Sequence, residues 1–307
     1  MGSVHIPLDM VFDSLLGKSP EGAYTIIMVE SRIPRAITAM LGGSALALSG
    51  LLMQTLFRNP LAGPSVMGIS SGASLGVALL VLLSGGIVFG GHAAIAIAAM
   101  TGALAVLLTV LAVAKRLADN TSLLIFGIML SFFTSSVVDA LQFKASNESL
   151  RSFVNWGMGS FAETNKSEII SMILLIAAGM LIAFFLKNRL NLLLLGDEYA
   201  SSMGVNIKST RLLMILATGI LAGIVTAFCG PVAFIGLAVP HIIRKWLKTS
   251  DHRKILLPVI LSGAAFALFC DLASRLLQLP LNTIASALGA PVVLWIILLG
   301  HKSKSII

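Results

Sequence analysis

Residues 32–76 read RIPRAITAMLGGSALALSGLLMQTLFRNPLAGPSVMGISSGASLG. The stretch begins with Arg32 and Arg35, carries no further charge until Arg58, and then turns through a segment rich in proline and glycine into a second uncharged run. An uncharged helix of about 20 residues spans the roughly 30 Å hydrocarbon core of a bilayer. The stretch therefore predicts a first membrane crossing, a tight turn and the start of a second crossing.

Small side chains are concentrated in the first predicted crossing, where Gly, Ser and Ala fill most positions between Gly42 and Gly50. Small side chains let helix backbones approach each other closely, which a helix surrounded by lipid does not need. We expect this helix to lie inside a bundle.

The composition extends this interpretation to all 307 residues, of which 57% are hydrophobic and 11% are charged, with a mean hydropathy of +0.98. So few charges cannot coat a soluble protein of this length. The net charge of +8 comes from basic residues between apolar runs, which is typical of membrane orientation, so no nucleic-acid partner is expected. The predicted fold class is all-α: a polytopic transmembrane helical bundle, with a single transmembrane domain over residues 1–307.

Nine apolar runs are candidates for membrane crossings: 36–57, 66–84, 93–114, 122–141, 168–187, 211–229, 232–248, 255–273 and 282–300. The run 232–248 is short, contains Pro240 and follows Gly230-Pro231, so we expect a broken or tilted helix there. Residues 1–30 are expected on the outer side, with a short helix at the membrane surface.

Orientation is predicted from the 21 lysines and arginines. Fourteen of them fall in one alternate set of connections: Arg58, Lys115, Arg116, Lys187, Arg189, Lys208, Arg211, Arg244, Lys245, Lys248, Arg253, Lys254, Lys302 and Lys304. The other seven fall in the opposite set: Lys18, Arg32, Arg35, Lys144, Arg151, Lys166 and Arg275. The positive-inside rule places the larger set in the cytoplasm, together with the C-terminus.

Two connections are too long to be plain turns. The outer one, 142–167, has the pattern of a short interfacial helix with Trp156 as an aromatic anchor. The inner one, 188–210, contains a stretch between Gly196 and Gly204 that predicts about two turns of helix with a glycine at each end. A compact helix on the cytoplasmic face is suited to docking a partner.

Several patterns have more than one interpretation. Gly68-Ile69-Ser70-Ser71-Gly72 matches the nucleophile motif of serine hydrolases, but no strand precedes it, and small residues packing a helix start are the better explanation. Asp271 and Arg275 share a helix face, either as a solvated ion pair or as a docking charge. Asn120 and Thr121 begin a helix, where they cap it or line a constriction. No catalytic residue and no metal site is predicted, and no ATP-binding motif is present.

Ordered motifs along the chain resemble the FecCD-type permeases, the membrane subunits of ABC importers for iron–siderophore complexes, haem and cobalamin. They are RIPR (32–35), ALALSG (45–50), MQ (53–54), FRNPLA (57–62), GISSGA (68–73), WGMGS (156–160), LGDEYA (195–200), GP (230–231), FIGL (234–237), VPHIIR (239–244), DHR (251–253), LLP (256–258), LP (279–280) and LGAP (288–291). The resemblance covers essentially the whole chain.

The resemblance implies a homodimer with a central pathway that opens alternately to the two sides of the inner membrane. It implies two cytoplasmic ATPase subunits, which hold the ATP and Mg, and a periplasmic or surface-tethered binding protein that delivers the substrate. The chain itself is not expected to be an enzyme or to bind a cofactor. An ion-coupled secondary transporter is the alternative, although the centres of the apolar runs carry no ionisable residue.

The resemblance also implies roles for individual residues that match the motifs of the family. Arg32, Arg35 and Arg275 match arginines that dock the binding protein. The stretch from Gly196 through Asp197, Glu198, Tyr199 and Ala200 to Gly204 matches the coupling helix that contacts the ATPase. Asn120 and Thr121 fall where the family has a cytoplasmic constriction. The family has ten crossings, and the helix that would precede Gly2 is absent from this sequence, so we expect a truncated or misassigned start.

Overall fold

The computed structural model describes residues 23–84, 91–117 and 119–302. Within these ranges the chain is helical and contains no strand. A single 3₁₀ turn, Pro64–Met67, precedes α2. The helices are α1 (Tyr24–Leu56), α2 (Ile69–Leu83), α3 (Gly91–Ala114), α4 (Asn120–Lys144), α5 (Asn147–Gly157), α6 (Lys166–Leu194), α7 (Asp197–Ser202), α8 (Ile207–Cys229), α9 (Ile235–Leu247), α10 (His252–Leu277) and α11 (Leu281–Lys302). The predicted all-α fold is confirmed.

Every apolar run found in the sequence coincides with a helix, but the helices differ in length. Among the described residues, six helices are long and apolar enough to cross a membrane: α1, α3, α4, α6, α8 and α10. Helix α2 and the segment Leu281–Trp295 of α11 are apolar but shorter, and α9 has only 13 residues. The chain is thus a multi-pass membrane protein, and nine crossings remain a prediction.

Helix α1 begins earlier than the sequence predicts, at Tyr24. Its residues Met28–Arg32 form a π turn, closed by a hydrogen bond from the N–H of Ile33 to the carbonyl of Met28. Pro34 has no N–H and its ring crowds the preceding turn, and a wide π turn relieves that crowding. Arg32 and Arg35 consequently lie on the helix itself. The surface helix and the missing first helix predicted for the N-terminus lie outside the described residues.

Helices α1 and α8 form the centre of the bundle, each with 78% of its most apolar window buried. The backbones of α1 and α10 nearly touch at Gly43 and Gly263: a Cβ on Gly43 would lie 2.2 Å from the carbonyl oxygen of Gly263, and the reverse distance is 2.4 Å. Such an approach is open only to glycine. The prediction that small residues bury the first crossing is confirmed.

The two long connections each contain the predicted helix. In the outer one this is α5, but Trp156 is only 8% exposed and packs beside Phe153, with 6.1 Å between ring centroids. The prediction of an interfacial anchor at Trp156 is therefore wrong, because α5 turns its aromatic face onto the bundle. In the inner connection α7 lies between Gly196 and Gly204, both with positive φ.

The chain between α8 and α9 is broken, as the sequence predicts. Gly230 and Phe234 both have positive φ, and the non-glycine Phe234 is in the left-handed conformation at the start of α9. Pro240 lies within α9. Irregular backbone is tolerated within a membrane where protein groups or a cavity surround it.

Candidate functional site

Two arginines share one buried carboxylate at the end of the bundle where α1 begins. Nε of Arg35 on α1 lies 2.7 Å from Oδ1 of Asp271 on α10, and Nη2 of Arg275 lies 2.8 Å from Oδ2 of the same residue. The Asp271 side chain is 1% exposed, whereas the two arginines are 21% and 29% exposed. The interpretation of Asp271 and Arg275 as a solvated pair is wrong, because α10 packs this carboxylate against α1.

Arg32 lies three residues before Arg35, on the π turn, and is partly exposed. Glu30 on the same turn forms an ion pair with Lys166 at 2.5 Å. The structure therefore brings Arg35 and Arg275 together on one carboxylate and places Arg32 about one turn away. Two cations around one anion leave a net positive cluster at this end.

The opposite end carries α7. Ala200 is fully buried and fixes the helix to the bundle, while Glu198 and Tyr199 point outward, with Tyr199 49% exposed. Asp197 and Glu198 occupy the first turn, where negative charge is favoured by the helix dipole. The guanidinium of Arg58, just beyond α1, donates a hydrogen bond to the Asp197 carboxylate. The short helix is thus tied to α1, one of the two central helices of the bundle.

The two predicted gate residues have different surroundings. Nδ2 of Asn120 donates to the carbonyl of Leu56 at 2.8 Å, and its Oδ1 is buried without a hydrogen bond from any described residue. Thr121 is exposed. The cap of α4 is Asp119, whose carboxylate accepts from the N–H of Ser122 at 2.7 Å, so the capping interpretation of Asn120 is wrong. That backbone hydrogen bond lowers the pKa of Asp119.

A chain of polar side chains joins four helices near α7. Nη1 of Arg244 on α9 donates to Oε1 of Gln54 on α1 at 2.9 Å. The neighbouring Thr55 hydroxyl lies 2.9 Å from Nε2 of His252 on α10, whose side chain also contacts Asn191 on α6. Because each member is held by the next, a displacement of one of these helices is opposed by the other three.

Asp251 completes this network just before α10. Its carboxylate accepts from Nδ2 of Asn191 at 2.6 Å and from the N–H of Arg253 at 3.0 Å. The hydrogen bond from Asn191 is the main reason why the pKa of Asp251 is lowered. The start of α10 is therefore held in place by an ionised cap.

A cavity of about 210 Å³ borders the break between α8 and α9. Its wall includes Ser70, Phe234 and Asn282, and Oδ1 of Asn282 accepts from the N–H of Ala233 at 3.1 Å. The Ser70 hydroxyl lies 3.3 Å from that of Thr226. No histidine or carboxylate forms a hydrogen bond with Ser70 in the part of the chain that the structure describes. The surroundings of Ser70 therefore give no support to a hydrolase.

Metal-ligating side chains do not cluster in the described ranges: no three of His, Cys, Asp and Glu lie where they could hold one ion. Cys229 and Cys270 are both buried as free thiols.

The profile of the FecCD transport family matches residues 1–299 of the chain. The chain belongs to the FecCD transport family. The hemin transport system permease protein HmuU of Yersinia pestis is 34% identical over 315 residues, covering 99% of this chain and 93% of HmuU. The vitamin B12 import system permease protein BtuC of Klebsiella pneumoniae is 36% identical over 272 residues, covering 87% of this chain and 81% of BtuC.

The fold of this FecCD-family chain also matches a solved structure, described as an inward-facing conformation of a metal-chelate type ABC transporter. The TM-score is 0.83 at 27% sequence identity, and the match covers 94% of this chain and 96% of the other. The two named relatives are permease proteins, and the solved structure is that of an ABC transporter. The resemblance stated from the sequence motifs is thereby confirmed, and the family favours an ABC permease over an ion-coupled secondary transporter.

Sequence reasoning missed several contacts in this family member. It did not pair Arg35 with Asp271, Arg58 with Asp197, or Gln54 with Arg244, although each of these residues except Asp271 lies in a family motif. Only the Arg35–Asp271 contact had a signal in the sequence. Arg35 lies near the start of one apolar run and Asp271 near the end of another, and a charged side chain that helix packing buries needs a partner of opposite charge.

Proposed function

We propose that this chain is the membrane subunit of an ATP-driven importer. It forms a homodimer around a central pathway in the inner membrane and moves an iron chelate, either a siderophore or haem, or cobalamin by alternating access. Two ATPase subunits bind on the cytoplasmic side and supply the energy. A periplasmic or surface-tethered binding protein delivers the cargo to the outer side.

The proposal rests mainly on α7, which has one side fixed to the bundle and the other side exposed. A six-residue helix between two glycines is anchored through Ala200 and presents Glu198 and Tyr199 to a partner. A short rigid helix transmits displacement better than a flexible loop. Through Arg58 its motion reaches the end of α1, which crosses the centre of the bundle and carries Arg35 towards its other end.

The exposed face of α4 supports a second copy around a pathway. This helix is the least buried of the six long ones, with 22% of its apolar window buried. Its exposed positions include Ser135, Ser136 and Asp139. The Ser136 hydroxyl already donates to the carbonyl of Phe132, but the Asp139 carboxylate is unfavourable against lipid, whereas a pathway or a partner chain can solvate it.

Orientation follows from the charges at the two ends. Further basic residues lie at the end of the bundle that carries α7: Arg58, Lys187, Lys208, Lys248 and Lys254. The positive-inside rule therefore assigns that end, together with the C-terminus, to the cytoplasm. The end with Arg35, Asp271 and Arg275 then faces the binding protein. A positive surface there is suited to acidic groups on that partner.

Assembly tests the proposal directly. The chain is purified in mild detergent with its ATPase partner, and the mass of the complex is measured by native mass spectrometry. We expect two copies of this chain with two ATPase subunits. A stable monomer that transports without any ATPase would contradict the proposal.

A further inference from the structure

Two neighbouring clefts lie along the seam between α3 and α8, and together they are called the groove here. The cleft nearer α7 has a volume of about 520 Å³ and is lined by Leu108, Leu111, Leu212 and Leu216, with two lysines at its mouth. One turn further along both helices lies a second, almost wholly apolar cleft of about 330 Å³, to which Leu175 of α6 also contributes. The lining positions repeat at three- and four-residue intervals on each helix, so they form one face.

The lysines are Lys115, just beyond α3, and Lys208, in the first turn of α8. Both are exposed, and no carboxylate within the described ranges forms an ion pair with either. Nη1 of Arg211 donates to the carbonyl of Leu117 at 3.1 Å. This contact holds the two lysine-bearing helix ends together, so the mouth of the groove has a fixed width.

The two clefts together are longer than one leaflet. From Lys115 back to Ile97, the most distant lining residue on α3, the helix rises roughly 27 Å at about 1.5 Å per residue, so a lipid of one leaflet would fill only the part nearest the lysines. The hydrocarbon of one leaflet is about 15 Å thick, half of the bilayer core. A soluble protein cannot enter the groove, because the groove walls beyond the lysines are apolar and lie within the hydrocarbon region of the membrane.

We propose that this groove binds an anionic phospholipid of the leaflet that faces α7. The phosphate and any further acidic headgroup lie between Lys115 and Lys208, and an acyl chain lies along the leucines. Basic pockets between membrane helices on the cytoplasmic side are chemically suited to such headgroups. The proposal does not depend on the importer function, because it rests on the two lysines and the apolar clefts alone.

Native mass spectrometry of the purified full chain in nonionic detergent measures this binding. Phosphatidylglycerol and phosphatidylcholine with the same acyl chains are titrated separately. We expect phosphatidylglycerol to bind more tightly, and Lys115→Gln/Lys208→Gln to weaken it about 25-fold, because each lysine near an anionic headgroup strengthens binding by roughly fivefold. Phosphatidylcholine binding is expected to be unchanged by this double variant.

Two further variants keep the test decisive. Lys187→Gln/Lys254→Gln removes the same charge from exposed positions outside the groove and is expected to bind like wild type. Ala112→Trp fills the groove without a change of charge and is expected to weaken both lipids. Equal affinity of wild type for the two lipids, equal losses in the two lysine variants, or full binding by Ala112→Trp would each overturn the proposal.

Discussion

Nε of Arg35 lies 2.7 Å from Oδ1 of Asp271, although 236 residues separate them in the chain. The contact joins the first half of α1 to the last turns of α10, and the close approach of Gly43 and Gly263 holds the same two helices together about two turns away. Asp271 holds Arg275 in the same way on its other oxygen. One buried carboxylate therefore sets the position of two partly exposed guanidinium groups.

Replacing Asp271 by Asn is expected to weaken docking of the binding protein and to destabilise the fold. The hydrogen bonds from Arg35 and Arg275 then end on a neutral amide instead of a carboxylate. This change lowers the free energy of unfolding by about 2 kcal/mol. The two arginines then repel each other and lose their fixed geometry. Thermal unfolding in detergent and a binding titration with the binding protein measure the two effects. Glu148→Gln, an exposed acid on α5, is the matched control and should change neither quantity.

Arg32→Glu tests the docking surface at the arginine that lies about one turn from the Asp271 cluster. We expect affinity for the binding protein to fall by roughly tenfold at low ionic strength, because steering between opposite charges is lost. The difference from wild type should shrink as salt is added. Surface plasmon resonance over a salt series measures it, with Arg151→Glu as the control. An affinity equal to wild type at every salt concentration would remove Arg32 from the interface.

Glu198→Ala/Tyr199→Ala is expected to uncouple transport while the bundle stays folded, because both side chains are exposed and neither packs in the core. Loss of an interface aromatic costs on the order of 2 kcal/mol, or about thirtyfold in affinity. Co-purification of the ATPase and ATP-driven uptake should both fall. Ser201→Ala, on the same helix, is the control. Wild-type uptake by the double variant would show that α7 is not the coupling element.

The ion pair between Arg58 and Asp197 can be tested by exchanging the charges. Arg58→Asp alone places two acids together at the junction of α1 and α7, and uptake is expected to fall. Aspartate tolerates the left-handed conformation at position 58 better than most residues. Stability should change by less than about 1 kcal/mol, since the pair is exposed. Arg58→Asp/Asp197→Arg is expected to recover part of the uptake, because the restored pair is offset by a cation in the first turn of α7. Wild-type uptake by Arg58→Asp alone would mean that the pair is not needed.

Helix positions could be predicted from the sequence because apolar runs, and glycines at the ends of helices, are local signals. The ends of α7 follow from Gly196 and Gly204, and the break before α9 follows from Gly230-Pro231. The start of α1 was missed because Pro34 and two arginines look like a helix boundary. A π turn accommodates the proline within the helix, and no local sequence pattern predicts such a turn.

The candidate site was predicted less completely, since its contacts are long-range. Arg35 and Arg275 were assigned by resemblance, but the burial of Asp271 between them depends on how α1 and α10 pack. Trp156 was placed at the interface for its chemistry, and tertiary packing buried it instead. Asn120 was expected to cap α4 or to line a gate, yet Asp119 supplies the cap and Asn120 contacts the end of α1. The gate role of Asn120 and Thr121 stays a prediction.

Uptake into proteoliposomes tests the central claim most directly. The chain is reconstituted with its ATPase and binding protein, with ATP supplied on the side of α7, and radiolabelled haem, ferric siderophore and cobalamin are offered in parallel on the other side. The account predicts accumulation of one of these cargoes that requires both ATP and the binding protein. Accumulation that proceeds equally without ATP would contradict it.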